Sequence, residues 1–196
     1  HLALGDVAGK GLGAALLAAK LQATLRALAT DSESLPEIGA RTNRIFCRDG
    51  LPNRFATLLY LELRAGSGQI RLLNAGHMPP LHSHGQGIET LPPVALPVGI
   101  RADADFTEQN LEVGEGDLVL LYSDGLSEAA NEHGQMFGDD GVRELLGRVQ
   151  GMSAAGAGAA ILEELSRFVG ESRPFDDMSL AVLRRWPSPS PSGTDR

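Results

Sequence analysis

The apolar residues of this chain follow helical spacing in some stretches and strand spacing in others. Leucines recur every three or four residues between about 11 and 30, and this stripe predicts a helix with one buried face. A second helix is predicted at about 36–48, where a proline opens the segment and apolar residues share one side. Two more helices are predicted at about 140–149 and 155–169.

Strands are predicted where short apolar runs are bounded by turn residues. A run at 2–4 precedes the first helix, and further runs lie at 55–63, 69–73, 81–83, 106–113, 117–122 and 178–184. The glycine-containing turn at 65–68 joins two of them into a hairpin. Strand hairpins with helix pairs before and after them predict an α+β fold, with packed sheets inside and helices outside.

Composition and charge narrow the range of partners. The chain has 196 residues, 42% of them hydrophobic, which suits one globular domain with a sizeable core. Its formal net charge of −8 argues against duplex nucleic acid and anionic membranes as partners. A single cysteine, Cys47, excludes an internal disulfide framework and indicates a cytoplasmic location. No apolar run approaches the roughly 20 residues of a membrane span.

The two ends of the chain differ from the middle. Residues 187–196 are rich in proline and serine, cannot bury an apolar surface, and are predicted to be a disordered tail. Because the sequence opens directly on a strand, we expect that the natural N-terminus lies upstream. The folded domain is therefore expected to span 1–186 and to lack N-terminal structure.

Acidic residues follow or precede three of the predicted strands. Asp6 and Asp124 each come directly after an apolar strand and close to glycines, and Asp176 and Asp177 precede the last strand. Any one of them alone is most simply a turn residue. Together they form a pattern of carboxylates at strand ends, and hard divalent cations such as Mg²⁺ or Mn²⁺ prefer such oxygen ligands.

Three other motifs give weaker evidence of function. The loop at 5–10 has the wrong spacing for a Walker A loop and lacks its Ser or Thr. The glycines at 9–14 match the loose dinucleotide fingerprint, but a helix runs where its second strand should be. His82 and His84 lie at a hairpin end that is expected to be exposed, and with no third ligand nearby a zinc site is not expected there.

Four motifs, in order along nearly the whole chain, resemble those of metal-dependent protein serine/threonine phosphatases of type 2C, and specifically the bacterial SpoIIE/RsbU branch. They are GDVAGKG at 5–11, NAGHMPP at 74–80, LYSDGLSEA at 121–129 and FDDMS at 175–179. The resemblance implies a four-layer αββα sandwich that holds two Mn²⁺ or Mg²⁺ ions at one end. Asp6 would bridge both ions, the Val7 carbonyl would bind the second, and Asp124 and Asp176 would hold the first.

The same resemblance implies the reaction and its setting. A water activated by the two metals would attack phosphoserine or phosphothreonine, with Asp6, Asp124 and Asp176 as the catalytic carboxylates. The implied substrate is a phosphorylated STAS-type (anti-anti-sigma) protein, and the implied regulator is an upstream sensor domain. A homodimer stays open. The alternative is a non-catalytic docking module of the same fold, although such a module has no physical reason to keep three clustered acids.

Two features depart from the family pattern. Relatives carry an acidic Gly-Gly-Asp strand before the one at 2–4, and this sequence starts after that point. Eukaryotic relatives have a candidate general acid, a histidine, at the position of Ala8. Lys10 offers positive charge nearby, and His77 is interpreted mainly as a turn and packing residue. Asp177 is expected to support Asp176 without binding metal itself.

Overall fold

Strands form two antiparallel four-stranded sheets in the computed structural model, which describes residues 1–30, 34–50, 53–64, 66–171 and 177–186. The strands are β1 (Leu2–Val7), β2 (Ala56–Leu63), β3 (Gln69–Ala75), β4 (Leu81–His84), β5 (Gly87–Thr90), β6 (Gln109–Glu112), β7 (Leu118–Tyr122) and β8 (Leu180–Arg184). The first sheet has the order β1-β2-β3-β6, and the second has the order β5-β4-β7-β8.

Helices cover the outer faces of both sheets. They are α1 (Leu12–Ala29), α2 (Leu35–Asp49), α4 (Gly138–Arg148), α5 (Ala154–Val169) and a single turn, α3 (Asp124–Ser127), that follows β7. Serine side chains cap two of the long helices: Ser34 accepts from the Glu37 N–H, and Ser153 accepts from the Gly156 N–H. Such caps satisfy amide groups that the first helical turn leaves unpaired.

Three apolar layers hold the four layers of secondary structure together. The first lies between α1, α2 and one sheet, and it contains the predicted leucine stripe of α1. The second lies between the two sheets, where Leu59 of β2 and Leu121 of β7 are fully buried. The third lies between the other sheet and the helices α4 and α5. This arrangement confirms the predicted αββα sandwich.

Residues that alternate along each strand serve different layers. Leu118, Leu120 and Tyr122 of β7 pack against helices, whereas Val119 and Leu121 pack between the sheets. Both faces of this strand are therefore covered, which explains its continuous apolar sequence.

The structure corrects four details of the prediction. The single-turn helix α3 and the strand β5 were not predicted, and β8 begins at Leu180, two residues later than expected. His82 is buried, with 5% of its surface exposed, and does not lie at an exposed hairpin end. The predicted disordered tail lies outside the described residues.

Helix α1 is long and apolar enough to match a membrane span by length and composition, which the sequence prediction did not anticipate. Its leucine stripe packs against the first sheet. The rest of the helix is largely exposed, since 28% of this window is buried.

Candidate metal centre

Asp6 lies near the C-terminal end of β1, and the alternation of side chains along this strand decides which face it is on. Leu2 and Leu4 pack against the layer between the sheets, and Asp6 is the next residue on that face. Its neighbour Val7 points to the other face and is buried in the layer beneath the helices. Thr57 lies opposite Asp6 in the register of β1 and β2, and its hydroxyl accepts from the Asp6 N–H at 3.3 Å. Asp6 is thus an exposed carboxylate on a fixed strand end.

The loop after Asp6 is held in place by Arg54, which precedes β2. The Arg54 guanidinium donates to the Ala8 carbonyl oxygen at 2.8 Å. Gly9 has a φ of 108°, and a Cβ built on it would lie 1.5 Å from an Arg54 nitrogen. The backbone conformation therefore favours glycine at this position, and a larger residue would also displace the Arg54 guanidinium. Sequence reasoning did not identify Arg54, which is 46 residues away from Ala8.

Asp124 is positioned by the end of β7 and the start of α3. Ser123 precedes it and is tied to the incoming segment of β8: the Ser179 N–H donates to the Ser123 hydroxyl, and the Ser123 N–H donates to the Ser179 carbonyl, both at 2.9 Å. A Cβ built on Gly125 would lie only 2.5 Å from the Asp177 carbonyl oxygen. The glycine after Asp124 therefore allows the segment around Asp177 to approach it closely.

His77 lies behind these carboxylates and is nearly buried, with 5% of its surface exposed. Its ring Nδ1 is hydrogen-bonded to the Thr57 hydroxyl at 2.8 Å, and its backbone N–H donates to Asn74 Oδ1 at 2.9 Å. Burial lowers the pKa of His77 below its ordinary value, although the Asp124 carboxylate acts in the opposite direction. The predicted role of His77 as a turn and packing residue is thus joined by a hydrogen bond to β2.

One cavity of about 1080 Å³ joins these residues. Three carboxylate residues line it: Asp6, Asp124 and Asp177. Lys10 and His77 line it as well. Two of the predicted acids, 118 positions apart, therefore line the same cavity, one on β1 of the first sheet and the other just after β7 of the second. Asp176 lies outside the described residues, so its place relative to the cavity stays a prediction.

The donor set around this cavity suits a hard divalent cation. Three carboxylates contribute oxygens to it, and the cavity is wide enough for the several waters that Mg²⁺ or Mn²⁺ keeps when bound. Cys47, the one thiol in the sequence, does not line it. The arrangement therefore favours cation-assisted chemistry over a cysteine nucleophile.

Comparison with known proteins agrees with this fold and these motifs. The family profile described as Stage II sporulation protein E (SpoIIE) matches residues 1–186. The chain belongs to the SpoIIE family.

Individual relatives give the same picture. The chain is 28% identical over 195 residues to the phosphoserine phosphatase RsbU of Bacillus subtilis, covering 94% of this chain and 55% of RsbU. It therefore spans about half the length of that relative.

Two solved structures share the fold. The crystal structure of the RsbU and RsbW domains of Rv1364c from Mycobacterium tuberculosis aligns with a TM-score of 0.74 at 26% identity, over 95% of this chain and 52% of that one. The catalytic domain of the serine threonine protein phosphatase PstP, in complex with two manganese ions, aligns with a TM-score of 0.65 at 16% identity, over 92% and 84%. At such low identity the PstP likeness shows the fold alone.

Proposed function

We propose that this chain is the catalytic domain of a metal-dependent protein phosphatase that hydrolyses phosphoserine or phosphothreonine on a regulatory protein. The observation that carries the proposal is that Asp6, on a strand of the first sheet, and Asp124, just after a strand of the second, line one cavity. A relative named a phosphoserine phosphatase, aligned over 94% of the chain, supports the reaction class.

The carboxylates would hold the cations in this reaction. Asp6, the Val7 carbonyl, Asp124 and Asp176 are the proposed ligands, and two Mn²⁺ or Mg²⁺ ions are the proposed occupants. The manganese ions in PstP, a protein of the same fold, support this choice of metal. When bound, such ions activate a water as nucleophile and offset charge on the phosphoryl oxygens.

Other residues of this chain would hold the metal-binding segments in place and supply positive charge for the phosphate. Arg54 holds the loop after Asp6 through the Ala8 carbonyl. The pair of bonds between Ser123 and Ser179 holds the backbone beside Asp124. Lys10 lines the cavity, and its ammonium group would attract the dianionic phosphate of the substrate. These contacts fix the site before substrate binds, which lowers the cost of reaching the reactive geometry.

The proposed substrate is a phosphorylated STAS-type protein in a cytoplasmic partner-switching circuit, and the proposed regulator is an upstream sensor domain. RsbU itself is longer than this chain, which covers 55% of it, so further domains are compatible with that organisation. The acidic net charge of −8 supports a protein partner over nucleic acid or an anionic membrane. A docking module without activity would have no need to converge carboxylates on an open cavity.

Dephosphorylation assays with defined phosphopeptides test the proposal. Phosphoserine and phosphothreonine peptides should lose phosphate in the presence of Mn²⁺, and the reaction should stop when EDTA is added. A phosphorylated STAS domain should be hydrolysed faster than the free peptides, since it adds a docking surface. Binding of the STAS domain with no release of phosphate under any metal condition would instead support the docking module.

A further inference from the structure

A second group of side chains that can bind a metal lies on β4 and β5, at the edge of the second sheet. His82 and His84 are two residues apart on β4 and share one face, and Glu89 of β5 pairs directly with His82. One ligand atom from each of the three residues lies within 4.8 Å of the others. The third ligand missing from the sequence pattern is therefore provided across the hairpin.

The hydrogen bond of His82 to Asp117 has the pattern common to metal-bound histidines. His82 Nε2 lies 2.9 Å from Asp117 Oδ2, and because a carboxylate oxygen only accepts, Nε2 carries the proton. The same Asp117 oxygen accepts from the Gly114 N–H at 2.7 Å, which fixes the carboxylate. Metal-bound histidines commonly donate their other ring N–H to a carboxylate in this way.

The other ring nitrogen of His82, Nδ1, also points to a bound cation. His82 is 5% exposed, and its Nδ1 is buried with no hydrogen-bond partner among the described residues. In the neutral ring this atom holds a lone pair, and a buried lone pair without a partner is unfavourable. A cation shared with His84 and Glu89 would satisfy it.

Helix α4 and the segment that follows it hold both strands of this hairpin in place. The Gln150 side chain donates to the His84 carbonyl at 3.0 Å. Arg143 donates to the Thr90 hydroxyl at 2.6 Å and also to the Ile88 carbonyl. The backbone on both sides of the group is therefore anchored without using any of the three ligand side chains.

We propose that His82, His84 and Glu89 bind one zinc ion, separate from the cations of the acidic cavity. Two imidazole nitrogens favour a borderline ion such as Zn²⁺ over Mg²⁺, and three protein ligands leave one coordination position open. Tetrahedral zinc, with bonds of about 2.0–2.2 Å, places its ligand atoms about 3.4 Å apart. The exposed Glu89 side chain can move to close the present spacing.

Coordination changes one local contact of His84. Its Nδ1 accepts from the Gln86 N–H at 3.2 Å, and a neutral imidazole has one lone pair. Zinc binding therefore replaces that long hydrogen bond, whichever ring nitrogen is used.

The site is distant from the acidic cavity. Ser83 pairs with Leu118 at the start of β7, whereas Asp124 follows the other end of that strand. Six residues of extended chain correspond to about 20 Å. The two sites can therefore be titrated separately.

Zinc titration in the presence of saturating Mg²⁺ tests the proposal, with a chromophoric chelator as competitor. One equivalent of Zn²⁺ should bind, and Glu89→Gln and His84→Gln should each weaken it by at least tenfold. Asp117→Asn should weaken it by about 10- to 100-fold, because it disturbs the hydrogen bond that orients His82 and leaves the three ligands in place. His133→Gln, at an exposed histidine elsewhere, is the matched control and should leave zinc affinity unchanged.

Zinc that binds equally well to the Glu89→Gln and His84→Gln variants would be displacing Mg²⁺ from the acidic cavity, and this result would overturn the proposal. Absence of any zinc equivalent in the Mg²⁺-saturated protein would overturn it as well. Glu89 is exposed on an edge strand, so its variant stays informative even where a histidine variant fails to fold. Loss of zinc binding with phosphatase activity retained would separate this site from the proposed function.

Discussion

Substituting Gly125 by alanine should disrupt the candidate site with little change elsewhere. The added Cβ would lie 2.5 Å from the Asp177 carbonyl oxygen and 3.2 Å from its carbonyl carbon, and both atoms belong to the backbone. A Cβ reaches ordinary contact at about 3.4 Å. The segment around Asp177 must therefore move away from Asp124 by up to about 0.9 Å.

A shift of that size is large for a catalytic site. Misplacing a reacting group by about 1 Å can cost about 100-fold in rate, which corresponds to about 2.7 kcal/mol in the activation barrier. The overpacked backbone contact should also lower the free energy of unfolding by about 1–3 kcal/mol. We therefore expect kcat/KM for p-nitrophenyl phosphate in Mn²⁺ to fall about 100-fold in Gly125→Ala.

Gly158→Ala is the matched control. Gly158 lies in α5 and packs against the same strand β8, but its added Cβ would be 3.9 Å from the side chains of Leu180 and Val182, an ordinary contact. Activity should be unchanged in this variant. If Gly125→Ala stays folded and retains activity within about threefold of Gly158→Ala, the close approach of the two segments does not position the site.

Three further predictions concern other residues. Asp176→Asn should nearly abolish turnover and weaken Mn²⁺ binding, whereas Asp177→Asn should be mild; the reverse order would shift the assigned ligand by one residue. Arg54→Gln removes a charged hydrogen bond to the Ala8 carbonyl, worth about 1.5–3 kcal/mol, and should weaken Mn²⁺ binding about tenfold by calorimetry, with equal affinity arguing against a role for this contact. Because burial lowers the pKa of His77, the unfolded chain takes up a proton near pH 6.5 that the folded protein resists, so stability should fall as pH drops below about 6.5. His77→Gln should flatten this part of the Tm profile between pH 7.5 and 5.5, and an unchanged slope would refute it.

The fold was predictable because its signals are local. The leucine stripe of α1 and the continuous apolar run of β7 each specify an element and its buried faces within a few residues. The single turn α3 and the exposed strand β5 carry weaker patterns, since α3 spans four residues and most of β5 is exposed. Such short elements are decided by tertiary contacts that periodicity cannot report.

The candidate site was predictable only in part. Asp6 and Asp124 stand out as acids after apolar strands, and the family motifs join them to one function. The contact of Arg54 with Ala8 spans 46 residues, and that of Thr57 with His77 spans 20. No local pattern marks these contacts, because they arise from the pairing of strands and the path of loops.

The pairing of Glu89 with His82 shows the same limit. Sequence spacing offered two histidines and no third ligand, since Glu89 lies seven residues after His82 on a strand that was not predicted. The register of the hairpin brings the two side chains to one face. A site that depends on cross-strand register cannot be recognised until that register is known.

The most direct test of the central claim is the initial rate of p-nitrophenyl phosphate hydrolysis as Mn²⁺ is added back to EDTA-treated protein. The wild-type chain and Asp6→Asn would be compared after circular dichroism has shown that both are folded. We predict that the wild-type rate rises from zero to saturation with Mn²⁺ and that Asp6→Asn stays inactive throughout. Turnover by the wild type without metal, or by Asp6→Asn at the wild-type rate, would contradict a cation-dependent phosphatase built on this carboxylate.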